Sequence, residues 1–217
     1  LSSYLSEHIK PVKTLSGIKE LSIALSDTNP ETLYKANLIL DHFKESLNID
    51  VSYLINPTGT TICSSNRKDA DSFIDKNYAF RPYFKKAIKG EATTYLALGV
   101  VSNKRGVYYS HPIYHPVSLS ILGVVVIKSS VEYVETKLFP KSDDILLFTN
   151  PDGVIFISNK KNLRFKPLWE LDQKIIEQLL SSRQFGNGPW DWAGFSKDQA
   201  GNVTDKKGTP YLFTSLA

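Results

Sequence analysis

Residues 106–128 read GVYYSHPIYHPVSLSILGVVVIK, two apolar runs separated by a segment that contains Pro and Ser. Both runs are rich in Val, Ile and Tyr, which favour strands, and the segment between them favours a turn. A further strand is expected at about 92–99, ahead of the turn at 103–106. Short strands that follow one another through tight turns predict an antiparallel meander.

A strand, an Asn-Pro turn and a second strand occur twice in the sequence. The first copy occupies 51–64 with the turn Asn-Pro-Thr-Gly, and the second occupies 145–158 with the turn Asn-Pro-Asp-Gly. This internal repeat predicts two related units of mixed α/β (α+β) class, the second with fewer strands and expected to be truncated. Further elements are expected as helices at 81–88, 131–138 and 172–182 and as a final strand at 211–216.

The first 48 residues are predicted to be helical. Apolar residues recur at helical spacing over 1–26, which predicts one long amphipathic helix with a bend near Pro11. The sequence Thr28-Asn29-Pro30-Glu31 is typical of a helix start, and that second helix is expected to end near Asn48. The expected organisation is therefore helices at 1–48, a first module at 49–130 and a smaller module at 131–217.

Composition excludes several classes of protein. The chain has 217 residues, 41% of them hydrophobic, which is enough to bury a core. Its net charge of +4 arises from scattered charges, so no nucleic acid is expected as a partner. Cys63 is the one cysteine, which excludes an internal disulfide, and it is predicted to be a small apolar strand residue. The absence of Met and the opening in mid-pattern suggest a piece of a longer protein.

Motifs for catalysis are missing from the sequence. It has no Gly-rich phosphate loop, no GxSxG and no HExxH, and its four His residues lack metal-ligand spacing. We therefore expect no enzyme, no cofactor and no metal site in this chain.

Two cations are candidates for binding an anion. Residues 77–90 read NYAFRPYFKKAIKG and place Arg81 among aromatic residues, where its planar guanidinium could hold a carboxylate. The alternative is an arginine lying over the surface with a salt bridge to Asp75. Lys128 ends the apolar run 121–127, so it either reaches water or has a buried partner. If the meander brings Lys128 near Arg81, the two cations would suit a molecule with two carboxylates.

Several motifs together resemble a known family. They are Asn-Tyr-x-Phe-Arg-Pro-Tyr-Phe at 77–84, Tyr-x-Ala-x-Gly at 95–99, Gly-x-Tyr-Tyr-x-x-Pro at 106–112, Gly-Val-Val-Val-Ile-Lys at 123–128 and Pro-Asp-Gly-Val-Ile-Phe-Ile-Ser at 151–158. In this order, after a long helix, they resemble the double Cache extracytoplasmic sensor domains, in particular those of four-carbon dicarboxylate sensor histidine kinases.

The resemblance implies two stacked PAS-like modules, of which 49–130 is membrane-distal and binds a small organic acid and 131–217 is membrane-proximal. It implies that Arg81 holds a carboxylate and that Lys128 takes an opposite charge. The other implied ligand-binding residues are Tyr78, Tyr83, Ala97, Gly99, Tyr108 and Ser110. It also implies an extracytoplasmic location in a membrane-embedded histidine kinase, a homodimer formed through the amino-terminal helix, and no catalysis by this region itself.

The sequence leaves several alternatives open. Val100 and Val101 follow Gly99 where dicarboxylate sensors usually have a Thr or Ser hydroxyl, so the ligand could be a monocarboxylate such as pyruvate. No Asp on the pocket strands is placed to hold an amino group, which argues against amino-acid sensing. A structural or interaction module without a ligand is the other alternative, and the parent could also be a chemoreceptor or a diguanylate cyclase.

Overall fold

The computed structural model describes residues 5–132, 135–136 and 144–211, which fall into two compact units. The first unit contains residues 5–132 and 181–186, and the second contains the remaining described residues. No helix in the described ranges is long and apolar enough to cross a membrane.

The first unit is built on a five-stranded antiparallel sheet. Its strands are β1 (Val51–Ile55), β2 (Thr61–Ser64), β3 (Thr93–Leu98), β4 (Arg105–Tyr114) and β5 (Ile121–Ser130), in the spatial order β2-β1-β5-β4-β3. Strands β3, β4 and β5 follow one another in the chain and also lie side by side in the sheet, so the predicted meander is confirmed. Cys63 is fully buried on β2, as predicted for a small apolar strand residue.

Three helices cover one face of this sheet: α1 (Ile9–Ser16), α2 (Lys19–Ser26) and α3 (Pro30–Leu47). The prediction of one continuous helix over 1–26 is wrong for the described residues, because Ile18 is extended between α1 and α2. The bend is also not at Pro11. That proline lies in the first turn of α1, where its missing N–H interrupts no helical hydrogen bond.

The predicted start of α3 is confirmed. The Asn29 side chain accepts hydrogen bonds from the main-chain N–H groups of Glu31 and Thr32, and Pro30 occupies the first helical position. The helix ends at Asn48, which is left-handed with φ 50°. This termination matters for the site, because the chain then enters β1 after only two more residues.

The other face of the sheet carries a short helix, α4 (Pro82–Ala87), and a core rich in aromatic residues. Side chains alternate between the two faces of a strand, so Tyr53, Tyr108 and Val126 lie on this face. The buried residues of this core are Val51, Tyr53, Ile55, Phe73, Tyr78, Tyr83, Phe84, Ala87, Ala97, Tyr108, Val124 and Val126.

The described part of the second unit contains two small antiparallel sheets and an α-helix. Strands β6 (Leu147–Thr149) and β7 (Ile155–Ser158) pair with each other, and α5 (Gln173–Ser182) runs back into the first unit. A three-stranded sheet then follows with β8 (Phe195–Lys197), β9 (Val203–Asp205) and β10 (Pro210–Tyr211). The β8–β9 hairpin was not predicted. Half of the predicted helix at 131–138, and all but the first residue of the predicted strand at 211–216, lie outside the described residues.

The internal repeat is confirmed in atomic detail. In the first turn the Asn56 side chain accepts a hydrogen bond from Thr60 N at 2.9 Å, and in the second the Asn150 side chain accepts one from Val154 N at 2.8 Å. Both hairpins also shift register one residue before the Asn-Pro turn. The same turn chemistry therefore forms the same hairpin in each unit.

Candidate ligand-binding site

Arg81 enters the core from the segment that precedes α4. Tyr78 N donates to Gly59 O at 2.7 Å, and Arg81 N donates to Tyr78 O at 2.9 Å. Pro82 disfavours a helical conformation in the residue before it, and Arg81 is extended with φ −73° and ψ 132°. The Arg81 side chain is directed inward and is 1% exposed, so the alternative of a surface arginine is wrong.

The Arg81 guanidinium is hydrogen-bonded to three main-chain carbonyls of the first unit. Nη2 donates to Leu98 O at 2.7 Å, and Nη1 donates to Ser182 O at 3.1 Å and to Arg183 O at 2.9 Å. A guanidinium has five N–H groups, so these bonds leave donors for a further acceptor. Among the described residues no carboxylate forms an ion pair with Arg81. It is therefore a buried cation solvated by neutral dipoles.

Aromatic rings surround this cation. Tyr83 and Tyr108 stack with ring centroids 5.3 Å apart, and the hydroxyls of Tyr53 and Tyr83 lie 2.8 Å from each other. Burial raises the pKa of Tyr78, Tyr83 and Tyr108, although the charge of Arg81 opposes the rise. The three phenols are therefore neutral at physiological pH, and each can donate a hydrogen bond to an anion.

A small cavity opens beside Arg81. Its volume is about 10 Å³, which is comparable to the space needed by one water molecule. A four-carbon acid is larger than this cavity, so the side chains around it would have to move apart to admit one. The cavity is lined by Phe73, Tyr78, Arg81, Tyr83, Gly99, Val100, Val101 and Tyr108.

Lys128 is a neighbour of the lining residue Tyr108 but does not itself line the cavity. It is paired with Tyr108 across β4 and β5 and is 1% exposed. Its Nζ donates to Ser102 Oγ at 3.0 Å and lies 3.5 Å from Asp50 Oδ2. Burial lowers the pKa of Lys128, and the negative charge of Asp50 opposes that decrease. Gly106 provides the space, since a Cβ there would lie 2.9 Å from Lys128 Cε.

The loop after β3 connects the cavity to Lys128. Gly99 N donates to Lys104 O at 3.0 Å, and Asn103 N donates to Gly99 O at 2.8 Å, so the loop turns back tightly. A Cβ at Gly99 would lie 2.5 Å from Ser102 Oγ and 3.1 Å from Tyr108 Oη. Only glycine therefore lets the Ser102 hydroxyl approach the main chain at this position.

The structure brings five of the eight predicted site residues together at the cavity: Tyr78, Arg81, Tyr83, Gly99 and Tyr108. Ala97 is buried in the adjoining core, and Ser110 Oγ donates to Tyr83 O at 3.1 Å. Lys128 lies outside the cavity and donates a hydrogen bond to Ser102, whose hydroxyl lies next to Gly99 in the cavity wall. The role of all eight residues in ligand binding stays a prediction.

Sequence reasoning missed three neighbours of the site: Asp50, Phe73 and Ser102. Phe73 lies in the polar segment 65–76, where a large aromatic residue was the available signal. Asp50 precedes β1 and approaches Lys128 because of the β1–β5 register, which the sequence pattern did not reveal.

An antiparallel sheet with strand order 2-1-5-4-3 that carries a group of aromatic residues around a buried arginine defines a PAS-like sensor domain. No family model matches the chain. The chain is 36% identical over 152 residues to the C4-dicarboxylate transport sensor protein DctB of Pseudomonas aeruginosa, covering 70% of this chain and 24% of that protein. It is 30% identical over 166 residues to the protein of the same name from Rhizobium meliloti, covering 76% and 26%.

A solved structure agrees with these relatives. The sensor domain of the histidine kinase DctB of V. cholerae superposes with a TM-score of 0.85 at 30% identity, covering 94% of this chain and 80% of that one. The chain belongs to the Cache-type sensor domains of the C4-dicarboxylate sensor kinase subgroup. It is a ligand-sensing region and not a catalytic domain. The chain spans about a quarter of the length of the two DctB proteins.

Proposed function

We propose that the first unit senses a C4-dicarboxylate, with Arg81 binding one carboxylate and Lys128 the other. The observation that carries this proposal is the Arg81 guanidinium, which is 1% exposed and hydrogen-bonded only to main-chain carbonyls among the described residues. Burying a cation without a counter-charge is unfavourable. An anionic ligand would provide the missing charge.

The surrounding groups suit a carboxylate in particular. Arg81 can offer two parallel N–H groups to the two oxygens of one carboxylate. The phenols of Tyr78, Tyr83 and Tyr108 are neutral donors around it. Ser102 also bears on the ligand class. Val100 and Val101 have no hydroxyl, but the Ser102 hydroxyl lies next to Gly99 and accepts a hydrogen bond from Lys128. This hydroxyl and the second cation favour a dicarboxylate over a pyruvate-like acid.

The closed cavity gives the proposal a signalling mechanism. A cavity of about 10 Å³ must widen before a dicarboxylate can enter, so the ligand binds an open conformation more tightly than the closed one. Arg81 holds Leu98 together with the segment 181–186, and a ligand bound by the remaining N–H groups of Arg81 would act on the same guanidinium. Binding would therefore change how this segment is held within the first unit.

The remaining parts of the proposal concern the whole receptor. We propose that the domain is extracytoplasmic, that the parent is a membrane-embedded sensor histidine kinase, and that it acts as a homodimer through its amino-terminal helices. The similarity to the DctB proteins supports the kinase assignment. The division into a membrane-distal module at 49–130 and a membrane-proximal module at 131–217 also stays part of the proposal.

A thermal-shift and calorimetric screen tests the ligand class. Succinate, fumarate and malate are compared with pyruvate, acetate and several amino acids. A ligand at a hundred times its Kd stabilises the folded state by about 2.7 kcal/mol, which corresponds to a rise in Tm of roughly 5 to 10 °C for a chain of this size. No shift with any acid at millimolar concentration would contradict the proposal, and a shift with amino acids alone would replace it.

Arg81→Ala is expected to weaken the dicarboxylate by about thirtyfold or more, because a buried charge-assisted contact is lost. Arg81→Lys should restore binding only in part, since an ammonium cannot form two parallel hydrogen bonds. The matched control is Arg183→Ala, because Arg183 is exposed and stacks on the same Phe80 ring without lining the cavity. Equal affinity of wild type and a folded Arg81→Ala variant would remove Arg81 from the site.

A further inference from the structure

Asp50 holds its carboxylate beside Lys128, the cation that we propose binds the second carboxylate of the ligand. It is the second residue after Asn48, and its main-chain N–H donates to Lys128 O at 3.0 Å, which extends the β1–β5 pairing by one residue. The pairing fixes the Asp50 main chain beside Lys128. The carboxylate Oδ2 is then 3.5 Å from Lys128 Nζ.

The two partners of this ion pair differ in their surroundings. The side chain of Lys128 is 1% exposed, whereas that of Asp50 is 29% exposed. A buried ammonium needs a counter-charge, because its transfer from water is costly. Asp50 can do without the pair, since its carboxylate already has access to water.

The pair is also loose. Its distance of 3.5 Å is longer than a charge-assisted hydrogen bond, which is typically about 2.7 to 2.9 Å. The first unit contains a tight pair for comparison, in which Arg67 donates to both carboxylate oxygens of Asp41 at 2.6 Å. Asp50 therefore resembles an exchangeable counter-ion more than a structural tie.

We propose that Asp50 is a specificity-determining residue that acts as an internal competitor for the second carboxylate of the ligand. In the closed state Asp50 neutralises Lys128. When a dicarboxylate enters, its distal carboxylate displaces Asp50, which turns toward water. A monocarboxylate bound at Arg81 does not meet this competition. The inference rests on the proposed function, because it assumes that Arg81 and Lys128 bind the two ends of one ligand.

Asp50→Asn removes the competing charge and keeps the side-chain size and the main-chain hydrogen bond. We expect the Kd for fumarate, measured by calorimetry at pH 6.5, to fall by about three- to tenfold, while the Kd for acetate is unchanged. Asp50→Glu keeps the charge and should bind fumarate like the wild type. The control is Asp69→Asn, which removes one charge from an exposed loop position of the same unit.

The coupling to Lys128 is the second readout. In a Lys128→Met background Asp50→Asn should no longer tighten fumarate binding, because the ammonium for which the two carboxylates compete is gone. Unliganded melting curves establish that each variant is folded. If the wild type binds fumarate and Asp50→Asn binds it equally or more weakly, the inference is wrong and the proposed function stands. If the wild type binds no acid, the proposed function fails, and the inference with it.

Discussion

Replacing Lys128 by Met is expected to make the folded chain more stable while weakening dicarboxylate binding. The Lys128 side chain is 1% exposed, and its Nζ has the Ser102 hydroxyl at 3.0 Å and the loose Asp50 carboxylate at 3.5 Å as partners. Met keeps the unbranched apolar stem in the space beside Gly106. Asp50 loses its partner but is partly exposed, so it does not become a buried unpaired charge.

The magnitude follows from the cost of burying the ammonium. Replacing buried ion pairs by apolar residues of similar volume is typically neutral or stabilising by about 1 to 4 kcal/mol. Because Asp50 stays in place and Ser102 loses a donor, we expect the lower end, about 1 kcal/mol at pH 7. For a chain of this size that corresponds to a rise in Tm of roughly 2 to 4 °C.

The pH dependence distinguishes this cause from a packing effect. Burial lowers the pKa of Lys128 in the folded state, while the unfolded chain keeps the ordinary value of 10.5. Between these two values the unfolded state binds more protons, so raising the pH through this window stabilises the wild type. The advantage of Lys128→Met is therefore complete below the folded pKa and disappears as the pH approaches 10.5. Ionisation of the buried tyrosines on unfolding affects both proteins equally and cancels.

Paired denaturant titrations of the two proteins from pH 7 to pH 10 measure this difference, and calorimetry at pH 7 measures their affinity for succinate and acetate. Succinate should be weakened far more than acetate, since only succinate has a second carboxylate. A variant that is less stable than wild type at pH 7 would refute the argument, as would a difference in stability that does not change with pH. Equal weakening of both acids would refute the role of Lys128 as the second pole.

Gly123→Ala should destabilise the first unit by about 3 kcal/mol or more in a denaturant titration, because a Cβ there would collide with the main-chain oxygen of Ile55. If the variant is as stable as the wild type, β1 and β5 are farther apart than described here. Its matched control is Gly17→Ala, where φ is −86° and the atom nearest to an added Cβ is 3.5 Å away. A gain in stability of about 0.4 to 1 kcal/mol is expected there, and a loss would place Gly17 in another conformation. Cys63 is fully buried, and burial raises its pKa to about 12, so a disulfide reagent at pH 8 should label it only after unfolding; rapid labelling of the native chain would contradict this placement.

Much of the fold could be predicted because local patterns determine it. Alternation of apolar residues and the Asn-Pro turns predicted β1, β2 and the meander, and Asn29-Pro30 predicted the start of α3. The predicted bend near Pro11 is wrong, because a proline in the first helical turn costs no hydrogen bond, and the chain leaves the helical conformation at Ile18 instead. Strands β8 and β9 have three residues each, too few for a period-two pattern to be recognised.

The site was predictable only in its local part. Arg81 and its tyrosines are close in sequence or share a strand face, so spacing and resemblance identified them. The partners of Arg81 at Ser182 and Arg183 are 101 and 102 residues away, and no sequence pattern predicts such contacts. The approach of Asp50 to Lys128 depends on the β1–β5 register, which is set by tertiary packing.

A crystal structure of the domain with bound fumarate tests the central claim most directly. We expect the cavity beside Arg81 to be enlarged, one carboxylate to accept two hydrogen bonds from the Arg81 guanidinium, and the other to lie within 4 Å of Lys128 Nζ, with Asp50 turned toward solvent. Fumarate bound elsewhere in the chain, or bound here with neither carboxylate in contact with Arg81, would contradict the account.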